Sequence, residues 1–188
     1  SQLDSKSFNV KVESYNLPDQ PFRTLLSYKN TKEVYFCLIN MPIDEWRLIS
    51  DNLYKNNGVF EKLARGSRLS KWSQKLNDEG DLQNHSLEIE VPVLPFGHYL
   101  LLVSSNDQFT TVNDATAFAE FTITEMSFQN RTGVYGNQQF MVFERESGQP
   151  IKDVKAKISY YEYGYRNNDG KQRVVKTENY TTDQNGIV

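Results

Sequence analysis

Histidine is the side chain best suited to proton transfer near neutral pH, and this sequence contains two, His85 and His98. Neither belongs to a recognisable catalytic or metal-binding motif, because the sequence has no H-E-x-x-H, C-x-x-C, G-x-S-x-G, G-x-G-x-x-G or G-x-x-x-x-G-K pattern. We interpret each histidine as a surface or strand-end residue, with acid–base catalysis by either one as the alternative. We therefore expect a protein that is not an enzyme and has no catalytic residues.

Two acidic segments could do chemistry. Asp78, Glu79 and Asp81 surround Gly80 and could form an acid–base pair, but the same composition is typical of a solvated turn, which we prefer. Residues 183–186 (DQNG) begin like a calcium-binding loop, yet the further oxygen ligands and the distal glutamate are missing. We interpret that segment as a β-turn, and we expect neither a metal nor a cofactor.

Cys37 is the single cysteine, so no disulfide can form within the chain. It lies in residues 33–40 (EVYFCLIN), where apolar side chains occupy both alternating sets of positions, as in a strand buried on both faces. No nearby histidine or lysine pattern would lower the pKa of its thiol. We predict a small buried side chain there, and a reactive thiol is the minor alternative.

Residues 55–75 carry six cationic side chains and one carboxylate, Glu61. Such a basic surface could bind nucleic acid or an anionic glycan. However, Arg65, Arg68 and Lys71 fall in a predicted helix-to-strand connection, and the whole chain has a net charge of −3. We interpret the segment as a solvated basic patch and expect no nucleic-acid partner.

The most suggestive candidate binding surface is aromatic. Residues 158–165 (ISYYEYGY) predict a strand in which Tyr161, Tyr163 and Tyr165 share one face, while Tyr160 lies on the other. Tyrosines arranged in this way can contact a glycan or a partner protein. Because β-strands favour tyrosine for packing reasons alone, a purely structural role stays open.

The stretch at residues 86–104 (SLEIEVPVLPFGHYLLLVS) is the most informative about fold. Apolar and polar side chains alternate up to residue 93, and residues 99–103 form an apolar run typical of a central strand. Between them, Pro95, Gly97 and Tyr99 predict a tyrosine corner, in which a buried tyrosine hydroxyl bonds back to the preceding backbone. This corner indicates a β-sandwich of the immunoglobulin type.

A change of period interrupts the β pattern. Trp46, Ile49 and Leu53 recur at helical spacing and predict a short α-helical insert at about residues 44–65. Asp44 precedes the first apolar residue of this pattern and is the predicted N-cap.

The remaining patterns define the domain organisation. Residues 7–15 predict an opening strand, and about seven strands follow one another by residue 124. Residues 125–188 supply four or five more, too few for a complete sandwich. We predict an all-β fold of two tandem immunoglobulin- or fibronectin-III-like sandwiches, residues 1–124 with the helical insert and residues 125–188, the second one truncated.

Composition places limits on the setting of the protein. No apolar run approaches the roughly 20 residues of a membrane-spanning helix, and the mean hydropathy is −0.64. The sequence starts without a methionine or a signal peptide and stops where a strand pattern begins, so we expect a piece of a longer chain. Membrane contact is expected only through an anchor outside these residues.

A set of motifs runs through the sequence: YKNT at 28–31, KW at 71–72, HS at 85–86, VPVLPFGHYLLLVS at 91–104, FERESGQPIKDV at 143–154 and TDQNG at 182–186. Together with the helical insert, these motifs resemble the N-terminal part of large alpha-2-macroglobulin-like proteins of Bacteroides-type bacteria. The resemblance covers most of the chain.

The resemblance implies two early macroglobulin-type domains that act as a scaffold. The expected partners are other macroglobulin domains of the same longer chain and, for the full-length protein, the proteases that it traps or inhibits. It also implies a periplasmic, outer-membrane or cell-surface location. The thioester pattern C-x-E-Q is absent, since Cys37 is followed by Leu38 and Ile39. The alternative function is a surface adhesin or glycan-binding module that uses Tyr161, Tyr163 and Tyr165.

Overall fold

The computed structural model describes residues 5–55, 58–66, 68–77, 80–133, 136–163 and 172–188. The chain divides into two compact units, Ser1–Thr124 and Glu125–Val188. Each unit is described by itself.

The first unit consists of two sheets and a pair of helices. In chain order its elements are β1 (Ser7–Lys11), β2 (Tyr15–Asn16), β3 (Phe22–Lys29), β4 (Glu33–Asn40), α1 (Ile43–Tyr54), α2 (Val59–Arg65), β5 (Ser70–Lys75), β6 (His85–Val91), β7 (Gly97–Ser104) and β8 (Thr116–Ile123). One sheet has the strand order β1-β3-β6, and the other has the order β2-β8-β7-β4-β5. The short β2 pairs parallel with β8, whereas the longer neighbours pair antiparallel.

The core between the two sheets is built by alternate residues of each strand. From β7, Tyr99, Leu101 and Val103 point into it, and Phe36 and Leu38 of β4 join them. All five side chains are fully buried. Burying apolar side chains of this size contributes roughly 1.5–3 kcal/mol each.

The intervening residues of the same strands form a second core on the other face of the five-stranded sheet. Leu100 and Leu102 of β7 and Ile39 of β4 pack there against Trp46 of α1 and Phe60 of α2. The helical insert therefore covers a sheet face that would otherwise be exposed. This arrangement explains why the β4 and β7 sequences are apolar at consecutive positions.

The first helix begins one residue earlier than its predicted cap. The amide of Trp46 donates to the carbonyl oxygen of Pro42 at 2.9 Å, so Pro42 is the N-cap and no side chain caps the helix. The prediction of Asp44 as N-cap is wrong. Its carboxylate lies in the first turn, where a negative charge interacts favourably with the helix dipole.

The opening strand also differs from its prediction. Instead of one strand over residues 7–15, β1 ends at Lys11 and the chain crosses to the other sheet as β2. Tyr15 and Asn16 pair there with Thr122 and Ile123 of β8.

The second unit contains two hairpins. Its strands are β9 (Met126–Thr132), β10 (Gln138–Glu144), β11 (Lys155–Tyr163) and β12 (Gln172–Thr181). β9 pairs with β10, and β11 pairs with β12. The other edge of β10 is met by two short segments, through the bridges Met141 to Ile187 and Phe143 to Pro150.

The predicted all-β fold with a small helical insert is confirmed. Within the described ranges, no helix is long and apolar enough to cross a membrane.

Candidate functional site

The two histidines lie in separate, structural settings. His98 is 10% exposed, and its Nδ1 lies 2.7 Å from the carbonyl oxygen of Met41. Because a carbonyl oxygen only accepts, Nδ1 donates this bond and ties β7 to the segment that leads into α1. Nε2 of His98 lies 3.3 Å from a carboxylate oxygen of Glu120. His85 stacks on Tyr28, with ring centroids 5.5 Å apart.

The acidic turn before β6 contacts His85 through the Asp81 carboxylate. A carboxylate oxygen of Asp81 accepts the amide of Gln83 at 2.9 Å and lies 3.0 Å from Nε2 of His85. The backbone hydrogen bond and then the histidine lower the pKa of Asp81. Asp78 and Glu79 lie outside the described residues. The described part of this segment is a turn held by its own hydrogen bonds.

Cys37 is fully buried in the core beneath the helices. Burial raises the pKa of its thiol, although the nearby charges of Arg68 and Lys71 act in the opposite direction. A buried thiol with a raised pKa is a poor nucleophile, so the prediction of a structural cysteine is confirmed.

The segment that resembles a calcium loop is a β-turn, as predicted. A carboxylate oxygen of Asp183 accepts the amides of Asn185 and Ile187, each at 2.8 Å, and the amide of Gly186 donates to the Asp183 carbonyl oxygen at 3.0 Å. The carboxylate is thus used by the backbone of its own turn. In the described part of the chain, no group of three or more His, Cys, Asp or Glu side chains is arranged to hold a metal ion.

This turn packs directly onto the loop between β10 and β11. Gly186 has φ +72°, and a Cβ built on it would lie 2.3 Å from the carbonyl oxygen of Val142 and 3.2 Å from Pro150. The amide of Val142 donates to the Gly186 carbonyl oxygen at 2.8 Å. The sequence predicts separate turns at residues 143–154 and 182–186, because no local residue pattern indicates a contact between them.

A buried threonine fixes the same junction. Thr182 is 3% exposed, its hydroxyl donates to the carbonyl oxygen of Ile151 at 2.7 Å, and it accepts the amide of Val154 at 2.9 Å. Residues 143–154 and 182–186 are therefore joined by direct hydrogen bonds.

The predicted tyrosine surface is described only in part. Tyr161 and Tyr163 lie in β11, where their backbones pair with Val174 and Gln172, after a register shift between Tyr160 and Tyr161. Tyr165 lies outside the described residues. The glycan or partner contact through Tyr161, Tyr163 and Tyr165 stays a prediction.

A different polar cluster occupies the β11–β12 hairpin, which we name the Glu178 cluster: Tyr160, Lys176, Glu178 and Tyr180. The hydroxyls of Tyr160 and Tyr180 both donate to one carboxylate oxygen of Glu178 at 2.9 Å, and Nζ of Lys176 lies 2.7 Å from the other. Lys176 also lies over the Tyr160 ring, 5.5 Å from its centroid.

The electrostatics of the Glu178 cluster follow from these contacts. The hydrogen bond from Lys176 and those from the two tyrosines lower the pKa of Glu178 to about 2. The same bonds raise the pKa of Tyr160 and Tyr180, because the phenolic protons are held by a carboxylate. Sequence reasoning missed this cluster. The available signal was the spacing of two that places Lys176, Glu178 and Tyr180 on one face of a strand.

The basic segment is spread over several elements. Nζ of Lys71, on β5, bonds to the carbonyl oxygen of Asp107 and lies over the Phe109 ring, 5.2 Å from its centroid. The single carboxylate of the segment, Glu61, accepts the amide and the hydroxyl of Thr111. These contacts fasten the β7–β8 loop to α2 and β5.

Comparisons with known proteins agree on the fold. No protein-family profile and no curated protein sequence matches the chain. The crystal structure of native alpha-2-macroglobulin from Escherichia coli spanning domains NIE-MG1 is similar, with a TM-score of 0.60 and 14% sequence identity over 98% of this chain and 85% of that one. The chain has the fold of these alpha-2-macroglobulin domains.

A second Escherichia coli alpha-2-macroglobulin structure, spanning domains MG0-NIE-MG1, gives the same result. Its TM-score is 0.60 at 14% identity, and the match covers 98% of this chain and 56% of that one. The expected resemblance to alpha-2-macroglobulin is thus confirmed at the level of the fold.

Proposed function

We propose that this chain is a non-catalytic structural module of a larger alpha-2-macroglobulin-like protein of the bacterial cell envelope. The observation that carries the proposal is the structural match over 98% of the chain to domains of a native bacterial alpha-2-macroglobulin. The burial of Cys37 and the structural roles of His85 and His98 support a scaffold.

The order of the matched domains suggests a position in such a protein. The first unit, Ser1–Thr124, corresponds in this proposal to the NIE domain, and the second, Glu125–Val188, to the beginning of MG1. Both units would pack against other macroglobulin domains of the same protein. We extend the proposal to the Bacteroides-type subfamily on the motifs of the sequence.

The second sandwich would be completed by further strands. Val188 already exchanges two backbone hydrogen bonds with Phe140 of β10, each 2.9 Å long, and Gly186 accepts a bond from Val142. This alternation of bonded residues is that of an antiparallel pair. A strand that starts at Gly186 would run antiparallel along β10 towards Gln138.

For the full-length protein we propose protease trapping or inhibition at a periplasmic, outer-membrane or cell-surface location. The test is to expose the full-length protein to several proteases of different specificity. We expect a change of shape in small-angle X-ray scattering and co-elution of protease that still cleaves small substrates. A protein that keeps its shape and retains no protease contradicts the proposal.

The alternative is a glycan-binding module. The specific observation in its favour is that Tyr160 and Tyr180 expose about two fifths of their surface on the β11–β12 hairpin. Binding on a glycan array that is lost in Tyr160→Ala or Tyr180→Ala would place the site on this exposed pair, and loss in Tyr161→Ala or Tyr163→Ala would place it on the face predicted from the sequence; either result favours this alternative. Absence of binding, or binding that all four variants retain, removes it.

A further inference from the structure

Strand β5 is the last strand of the five-stranded sheet, and among the described residues no strand pairs with its outer edge. The amide of Leu76 donates to Lys32 of the neighbouring segment at 2.8 Å. In an antiparallel pair, alternate residues bond to the neighbour. The backbone amides and carbonyls of Lys71, Ser73 and Lys75 therefore point away from β4, as a ladder of three donor and acceptor pairs to which no hydrogen bond is found among the described residues.

Two of the usual protections of an edge strand, a proline and a bulge within the paired residues, are absent from β5. β5 pairs with β4 in an unbroken register over six residues and contains no proline. Lys71, which could shield the edge, lies across the face of the sheet, where its ammonium is bonded to the carbonyl of Asp107 and covers Phe109. Leu69, immediately before the strand, is 52% exposed.

The side chains of β5 alternate between two chemical characters. Lys71 pairs with Cys37, whose side chain is in the core beneath the helices, so Lys71, Ser73 and Lys75 share the helix side of the sheet. Trp72 lies on the other side, partly exposed and stacked on Phe36 with 5.0 Å between ring centroids. An added strand would meet the two lysines on one side and an aromatic ring on the other. On the lysine side, the Lys71 ammonium is also bonded to the Asp107 carbonyl, and Glu33 of β4 accepts the Ser73 hydroxyl.

We propose that β5 is a docking edge for an extended, acidic segment of a partner protein, which adds as a sixth, antiparallel strand. Residues of this segment opposite Lys75 and Lys71 carry carboxylates, so its acidic residues are four positions apart. The residue before the second carboxylate lies opposite Trp72 and is apolar. Backbone hydrogen bonds supply affinity, and the alternate side chains supply specificity.

The test titrates the whole chain with a synthetic peptide whose core is Glu-Thr-Thr-Val-Glu. The backbone amide signals of the chain are recorded by NMR. We expect shifts centred on the amides of Lys71, Ser73 and Lys75, and weaker binding at high salt because the attraction is between exposed charges. A matched peptide with the core Lys-Thr-Thr-Val-Lys is the control and should not bind. Equal binding of both peptides, or shifts that lie elsewhere, overturns the proposal.

Two variants at Ser73 test whether its outward backbone amide contributes to binding. Ser73→Pro removes an outward amide that β4 does not use, and we expect affinity to fall about tenfold or more. Ser73→Ala loses the same side-chain bond to Glu33 but keeps the amide, so it should bind like the parent. Unchanged binding by a folded Ser73→Pro variant contradicts the proposal.

A charge reversal keeps the test decisive if Ser73→Pro does not fold. The variant Lys75→Glu, which leaves the contacts of Lys71 with Asp107 and Phe109 in place, should lose the preference for the glutamate peptide over the lysine peptide. A preference that does not change would show that the Lys75 cation does not select the partner.

Discussion

The hydroxyl of Tyr99 donates a hydrogen bond to the carbonyl oxygen of Pro95 at 2.8 Å, although the Tyr99 side chain is fully buried. Its ring stacks on Phe121, with centroids 5.6 Å apart. The predicted tyrosine corner is thus confirmed, and it joins the turn after β6 to the centre of the five-stranded sheet.

Tyr99→Phe should destabilise the first unit. The change removes the hydroxyl and leaves the Pro95 carbonyl without its partner, which costs about 1–3 kcal/mol. Chemical denaturation monitored by fluorescence measures this change in the free energy of unfolding. Tyr35→Phe is the matched control, because that hydroxyl donates to the Glu33 carboxylate, and we expect a cost below roughly 1 kcal/mol. Equal costs for the two variants would show that Tyr99 is not a corner tyrosine.

Gly186→Ala should destabilise the second unit strongly. The residue has φ +72°, and the new Cβ would lie 2.3 Å from the Val142 carbonyl oxygen, so the turn and β10 must separate. We expect a loss of roughly 3 kcal/mol or more, as for other overpacked or strained sites. Thermal unfolding and amide exchange of β10 report it.

Gly148→Ala provides the comparison for Gly186. Gly148 has φ +70°, but nothing lies within 4 Å of its Cβ position. The expected loss of stability is therefore only the cost of a side chain on a left-handed backbone, about 1 kcal/mol. If the two alanine variants lose the same stability, the contact between Gly186 and Val142 has no energetic importance.

Cys37 should resist alkylation in the folded protein. Burial removes access and raises the pKa of the thiol, so the thiolate is scarce at pH 8. We expect slow reaction with iodoacetamide that becomes fast in denaturant. Because the folded pKa is the higher one, the stability linked to this group is present at lower pH and is lost as the pH rises through the folded pKa. Rapid native labelling would contradict the assignment.

Glu178 should titrate near pH 2. Its folded pKa lies below the ordinary value of 4.5, so its contribution to stability is present above pH 4.5 and is lost as the pH falls towards about 2. Side-chain NMR titration measures this pKa. Lys176→Met should raise it more than Tyr180→Phe, since the hydrogen bond from Lys176 has the largest effect. A pKa near 4.5 in the parent would mean that the Glu178 cluster does not form in solution.

Features with a local pattern could be predicted from the sequence. The consecutive apolar residues of β4 and β7 predict strands buried on both faces, and the spacing of Trp46, Ile49 and Leu53 predicts α1, which covers one of those faces. The tyrosine corner at Tyr99 could also be predicted, because its residues lie within a few positions of one another in the sequence.

Features that depend on distant partners could not be predicted. The switch of Tyr15 and Asn16 to the second sheet is decided by Thr122 and Ile123, more than one hundred residues later. The contact of Gly186 with Val142 depends on how two turns meet in space. The Glu178 cluster needs the register between β11 and β12, which a shift at Tyr160 alters.

The helical insert has a consequence for anyone who redesigns this domain. A shortened variant without α1 and α2 would keep every β-strand. However, it would expose Ile39, Leu100 and Leu102 as a continuous apolar surface. Exposed apolar surface of this kind promotes aggregation. A minimal version of the domain must therefore retain the insert or replace those side chains with polar ones.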